Sequence, residues 1–60
     1  MRHLIRVSCS DDRELAHWRA EYGAHALCGR RSEWPLSGTE EKRRKPCADC
    51  EAARAAEEAA

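Results

Sequence analysis

The sequence predicts a small α+β zinc finger of treble-clef-like architecture, and three observations lead to this fold class. The chain has only 60 residues, which is one small domain at most. Two pairs of metal-binding residue types occur at ligand spacing, His25/Cys28 and Cys47/Cys50. The first pair follows a segment with strand character, and the second opens an alanine-rich segment. The predicted elements follow the order of a treble clef, which is a zinc knuckle, a short strand, a loop and a helix with ligands in its first turn.

The apolar side chains are too few to hold such a chain together unaided. There is no phenylalanine, and the sequence has two tryptophans and one tyrosine. A chain of this size normally needs a metal or disulfides to fold. The N-terminal residues lack an apolar stretch long enough for a signal peptide, so we expect a cytoplasmic protein. Cysteine pairs in that compartment indicate metal binding, while disulfides remain the competing interpretation.

The N-terminal half predicts a β-hairpin. Residues 3–9 are short, partly β-branched and mildly alternating, and residues 10–13 have turn chemistry. Residues 14–22 fit two patterns, a strand with period two or a helix with period 3.6. We favour the strand, because a helix would leave residues 3–9 unpaired.

The C-terminal half predicts a third strand, a loop and a helix. Residues 30–34 can pair back on the sheet, and residues 35–46 read as a basic loop bounded by prolines. Residues 47–59 are rich in alanine, the best helix former. We therefore expect one zinc-binding domain over residues 1–60, β-rich and containing the first knuckle over about 1–34.

The expected ligands of one structural Zn²⁺ are His25, Cys28, Cys47 and Cys50. Gly29 favours this interpretation, because a knuckle needs a positive φ after its cysteine. Cys9 is the alternative fourth ligand, whereas His3 and His17 read as ordinary histidines. Four thiolates could also hold an iron–sulfur cluster, but such motifs space their cysteines more tightly.

A catalytic metal is not expected from this pattern. The run from Pro46 to Cys50 matches half of the zinc deaminase signature, but Leu27 stands where the catalytic glutamate would be. Cys28 would also close the coordination position that catalysis requires. We therefore predict that the protein is not an enzyme.

The charge pattern suggests a nucleic-acid partner. The net charge is zero, but basic residues cluster around both knuckles. The candidate contacts to DNA or RNA phosphates are Arg30, Arg31, Lys42, Arg43, Arg44 and Lys45. A solvated loop is the plainer interpretation of these charges, and Trp34 could be either core or a stacking platform for a base. The alternative function is a protein-interaction module that docks on a larger machine such as RNA polymerase or the ribosome.

Three short motifs resemble the small single-zinc finger proteins of actinobacteria and their bacteriophages. They are His17-Trp18-Arg19, His25-x-x-Cys28-Gly29-Arg30 and Cys47-x-x-Cys50. The resemblance covers about residues 17–52. It implies zinc binding through His25, Cys28, Cys47 and Cys50, and it implies no particular activity.

Overall fold

The computed structural model describes residues 3–59, which form a four-stranded sheet and two helices. The strands lie in the order β3-β1-β2-β4. In chain order the elements are β1 (Leu4–Cys9), β2 (Asp12–Ala20), β3 (Ser32–Pro35), α1 (Gly38–Arg43), β4 (Lys45–Pro46) and α2 (Ala48–Ala59). The predicted small α+β fold, with its N-terminal hairpin and C-terminal helix, is confirmed at this level.

The hairpin of β1 and β2 resolves the ambiguity of residues 14–22 in favour of the strand. Leu4 pairs with Ala20 and Val7 with His17 in an antiparallel register. The register then shifts. Cys9 follows Val7 by two residues, but its partner Asp12 lies five residues before His17. The extra residues of β2 form a bulge, and such irregularities re-aim nearby side chains.

The bulge in β2 also creates the contact with β4. Leu15 and Ala16 pair in parallel with Lys45 and Pro46. The amide of Cys47 donates to the Ala16 carbonyl at 2.9 Å. The chain therefore enters α2 directly from an anchored position on the sheet.

The segment expected as a basic loop contains the short helix α1. Ser37 is its N-cap, and the Ser37 hydroxyl accepts from the amide of Glu40 at 3.3 Å. Ser37 and Glu40 have the spacing of a capping box, which is a sequence signal for a helix start. Acids in the first turn and bases in the last also suit the helix dipole. These local signals outweigh the loop character suggested by Pro35 and Gly38.

Helix α2 packs on β2 through a cluster of charged and aromatic side chains. Glu51 Oε1 accepts from Arg6 Nη2 at 2.8 Å and from Trp18 Nε1 at 3.0 Å. The guanidinium carbons of Arg6 and Arg54 lie 3.8 and 4.9 Å from the centre of a Trp18 ring. We call these four residues the Trp18 network.

The buried core is small and rich in sulfur. Its apolar members among the described residues are Val7, Cys9, Ala16, Ala26, Cys47 and Cys50. None of these side chains is larger than valine, so hydrophobic burial per residue is low. Within residues 3–59, neither helix has the length and apolar character needed to cross a membrane.

Candidate metal centre

Four side chains from three parts of the chain converge on one point. His17 comes from β2, Cys28 from the turn after it, and Cys47 and Cys50 from the start of α2. One potential ligand atom from each lies within 4.8 Å of all the others. The group could therefore hold one metal ion.

The distances within the group fit tetrahedral coordination. His17 Nδ1 lies 3.6 Å from Cys28 Sγ and 3.7 Å from Cys50 Sγ. Bonds of about 2.3 Å to sulfur and about 2.0–2.1 Å to nitrogen place tetrahedral N and S ligands about 3.6 Å apart. All four cysteines of the chain carry free thiols. The donor set and these two distances therefore fit a tetrahedral site of the kind that Zn²⁺ occupies.

The backbone fixes the orientation of the His17 ring. Nε2 lies 3.0 Å from the carbonyl oxygen of Asp12. Because a carbonyl only accepts, Nε2 must carry the proton, and Nδ1 is left with its lone pair facing the cysteines. A second-shell hydrogen bond of this kind is typical of metal-bound histidine. The bulge in β2 makes it possible by bringing Asp12 beside His17.

A tight turn presents Cys28 to the centre. The amide of Gly29 donates to the Ala26 carbonyl at 2.9 Å, and the amide of Ala26 donates to the Arg30 carbonyl at 2.9 Å. Gly29 has a φ of +92°, which residues with a Cβ rarely adopt. The expected positive φ at Gly29 is thus confirmed.

The start of α2 presents the other two cysteines. Cys47 immediately precedes the helix, and its carbonyl accepts from the amide of Glu51 at 3.0 Å. Cys50 is fully buried one turn later, with its sulfur 3.8 Å from the Trp18 carbonyl oxygen. The helical backbone therefore holds both sulfurs on the side that faces β2.

Cys28 differs from the other thiols in exposure and acidity. It is half-buried, whereas Cys47 and Cys50 are buried. Burial opposes ionisation of Cys28, but hydrogen bonds from the backbone and side chain of Arg30 outweigh it and lower the pKa to about 7. Burial raises the pKa of Cys50 to about 12. Cys28 is therefore the first of this pair to become a thiolate, the form that binds metal.

The histidine of the cluster is His17 and not the expected His25. The structure brings together three of the predicted ligands, Cys28, Cys47 and Cys50, and leaves His25 outside the group. His25 is exposed and pairs through its backbone with Arg31. The turn that carries Cys28 closes between Ala26 and Arg30, so His25 precedes it.

Cys9, the alternative ligand, lies next to the cluster without joining it. Cys9 is fully buried and packs in the same core as Cys47 and Cys50. Burial raises its pKa to about 11, and the negative charges of Cys28 and Cys47 add to that effect. What sets Cys9 apart is its position, because it is not among the four residues whose ligand atoms lie within 4.8 Å of one another, and its sulfur lies 4.0 Å from the carbonyl oxygen of Arg30.

Local spacing could not have revealed His17, because its nearest partner in sequence is eleven residues away. The signal lies in the hairpin register, which pairs His17 with the buried Val7. A histidine opposite a buried valine must either find polar partners or destabilise the core. That argument points to His17, but only once the register and its bulge are known.

The six cationic residues predicted to contact nucleic acid divide into two groups. Arg30 and Arg44 are used within the fold: Arg30 Nη1 lies 3.6 Å from Asp49 Oδ2, and Arg44 Nη1 donates to the buried Ser8 hydroxyl at 2.9 Å. The exposed residues are Arg31, Lys42, Arg43 and Lys45.

Comparison of the chain with protein-family models, with curated proteins and with solved structures gives no match.

Proposed function

We propose that the protein binds one Zn²⁺ ion as a structural centre through His17, Cys28, Cys47 and Cys50. The observation that carries this proposal is the convergence of the four ligand atoms within 4.8 Å. Three sulfurs and one imidazole nitrogen are a donor set that favours zinc. Four protein ligands leave no position for a substrate, which supports a non-enzymatic role. The order of knuckle, β3 and α2 supports the treble-clef-like classification.

Native mass spectrometry and cobalt spectroscopy test the metal proposal. We expect one zinc ion per chain as purified under reducing conditions, such as those of the cytoplasm. Co²⁺ in the same site should give the spectrum of tetrahedral coordination by three thiolates and one nitrogen. Iron with sulfide, or two cysteines lost to a disulfide in the purified protein, would contradict it.

We further propose that the zinc-ordered domain presents a cationic surface to DNA or RNA phosphates. The support is the exposure of Arg31, Lys42, Arg43 and Lys45, whereas the other arginines within residues 3–59 have partners in the fold. Arg6 and Arg13, for example, pair with Glu51 and Glu33. Zinc would fix the shape of this surface and take no part in binding. The bases would not be read, so binding is expected to be weak and largely independent of sequence.

A gel-shift titration over a range of salt concentrations tests the nucleic-acid proposal. Four phosphate contacts predict a log–log salt slope of roughly −3 to −4. Replacing Lys42, Arg43 and Lys45 together with Ser should flatten that slope by about 2–2.7 units. Zinc stoichiometry should be unchanged in this variant. Arg44 is left intact because its loss would also remove the bond to Ser8.

A protein-interaction module is the second candidate, and the exposed alanines of α2 favour it. Ala52 and Ala56 lie one turn apart and are both exposed, which gives α2 a smooth face. If this face binds a protein, Ala56→Arg should block capture of that partner, while the triple Ser variant should still bind. Absence of any gel shift at 50 mM salt would favour this candidate.

A further inference from the structure

Arg30 lies where the two halves of the candidate metal centre meet. It follows Cys28 by two residues, and its carbonyl accepts from Ala26 to close the turn that presents Cys28. Its guanidinium lies beside the Cys28 thiol, whose pKa is lowered by hydrogen bonds from Arg30. The same guanidinium reaches across to α2, where Nη1 lies 3.6 Å from Asp49 Oδ2. Asp49 stands between Cys47 and Cys50 in the sequence.

The charge of the centre requires such a partner. Three thiolates and a neutral imidazole around a divalent cation leave one net negative charge. A buried negative charge without a counter-charge is costly. The guanidinium of Arg30 supplies the opposite charge at the ligand that is least buried, Cys28.

We propose that Arg30 is a positioning residue of the zinc centre, which joins the turn that presents Cys28 to the first turn of α2, where Cys47 and Cys50 lie. This inference rests on the proposed zinc site and deepens it. Because Cys28 is the ligand most open to solvent, exchange of the metal should begin there. Arg30 would therefore set how tightly the ion is held, without itself being a ligand.

Arg30→Gln, Arg30→Lys and the matched control Arg31→Gln test this inference in the full chain. Arg31 is the neighbouring arginine, is exposed, and carries the same charge. The measurement is zinc affinity by competition with a chromogenic chelator, together with the Co²⁺ spectrum. Outer-shell partners of metal ligands typically contribute about 10–100-fold to affinity. We expect Arg30→Gln to weaken zinc binding by that factor.

The other variants distinguish electrostatic positioning from general effects. Arg30→Lys should lose less affinity, because it keeps the charge but not the planar donor pair. Arg31→Gln should bind zinc like the unchanged protein, and Arg30→Gln should keep the same Co²⁺ spectrum. Three results would each overturn the inference. They are a zinc affinity of Arg30→Gln equal to that of the unchanged protein, a loss of affinity in Arg31→Gln as large as in Arg30→Gln, and an altered Co²⁺ spectrum in Arg30→Gln.

A folding defect in Arg30→Gln would not leave the question open. In that case the inference is tested by the rate at which Arg30→Lys transfers zinc to the chelator. A faster rate than in the unchanged protein supports the inference, and an equal rate overturns it. If the unchanged protein itself binds no zinc, the proposed function fails instead, and the two failures are thus distinguishable.

Discussion

Two neighbouring residues of β2 hold α2 to the sheet by different means. His17 meets Cys50 in the candidate metal centre, with Nδ1 and Sγ 3.7 Å apart. Trp18 meets Glu51, the next residue of α2, through a hydrogen bond of 3.0 Å and the flanking guanidinium groups of Arg6 and Arg54. In the proposed centre, a metal ion would link β2 to α2, whereas the Trp18 network is complete within the chain. We therefore expect the first to decide whether the protein folds and the second to adjust its stability.

Removal of the metal should have the largest effect. Apparent binding free energies of structural zinc are about 10–16 kcal/mol, which exceeds the net stability of many domains. A strong chelator should therefore collapse the dispersion of amide-proton signals, and added zinc should restore it. A dispersed spectrum in the chelated protein would mean that the sheet and the Trp18 network are sufficient for folding.

Replacement of His17 should have the next largest effect. His17→Ala removes a ligand, so its loss of zinc affinity should exceed the roughly 10–100-fold typical of outer-shell changes. His25→Ala is the matched control and should bind zinc like the unchanged protein, because His25 is exposed and outside the cluster. Competition with a chelator measures both.

Cys9→Ser tests whether Cys9, the buried neighbour of the cluster, is a zinc ligand. We expect one zinc per chain in this variant by native mass spectrometry, because Cys9 lies outside the four-residue group. Loss of zinc in Cys9→Ser, with retention in His17→Ala, would show that Cys9 is the fourth ligand.

The candidate ligands differ in how far their positions can be predicted from the sequence. The sequence predicts Cys28, Cys47 and Cys50 as ligands because turns and helix starts bring residues at short spacing together. The helix α2 followed from alanine propensity, and the hairpin followed from alternation. His17 could not be found in this way, because its place depends on the register shift near Cys9 and on the carbonyl of Asp12. Such long-range geometry is set by the whole sheet and leaves no local pattern.

Helix α1 lies in the segment expected as a loop, and it differs from His17 in that the sequence does contain a signal for it. Its signals are local, since Ser37 and Glu40 form a capping box. Pro35 and Gly38 predict a loop in the same segment. A proline before the N-cap is compatible with a helix that begins afterwards, so the breaker and the cap do not conflict.

Loss of the Glu51 charge should have a moderate effect. Glu51→Gln weakens the bonds to Arg6 and Trp18 while keeping the shape of the side chain. Hydrogen bonds with a charged partner contribute about 1.5–3 kcal/mol, and the low end applies because the Glu51 side chain is 32 % exposed. Urea unfolding of the zinc-loaded protein should therefore show a loss of about 1.5 kcal/mol. Glu58→Gln, exposed on the same helix, should change the free energy of unfolding little.

Unaltered zinc binding in Glu51→Gln is the second half of this prediction. Native mass spectrometry should show one ion per chain, as in the unchanged protein. Loss of the ion would mean that the Trp18 network and the metal centre act as one unit.

The smallest expected effect is the pH dependence of the stability difference between Glu51→Gln and the unchanged protein, and it distinguishes the Trp18 network from the metal centre. Although burial disfavours its charged form, bonds from Arg6 and Trp18 outweigh that and lower the pKa of Glu51 below its ordinary 4.5. A lowered pKa contributes stability that is complete above the unfolded pKa and is lost only as the pH falls through the folded one. Between about pH 8 and pH 6, the stability difference between Glu51→Gln and the unchanged protein should thus stay constant. Both proteins should nevertheless lose stability together over this range, because protons compete with zinc for the cysteines. Thermal unfolding at fixed free zinc measures both trends, and a difference that shrinks toward pH 6 would contradict the assignment of the acid sensitivity to the metal centre alone.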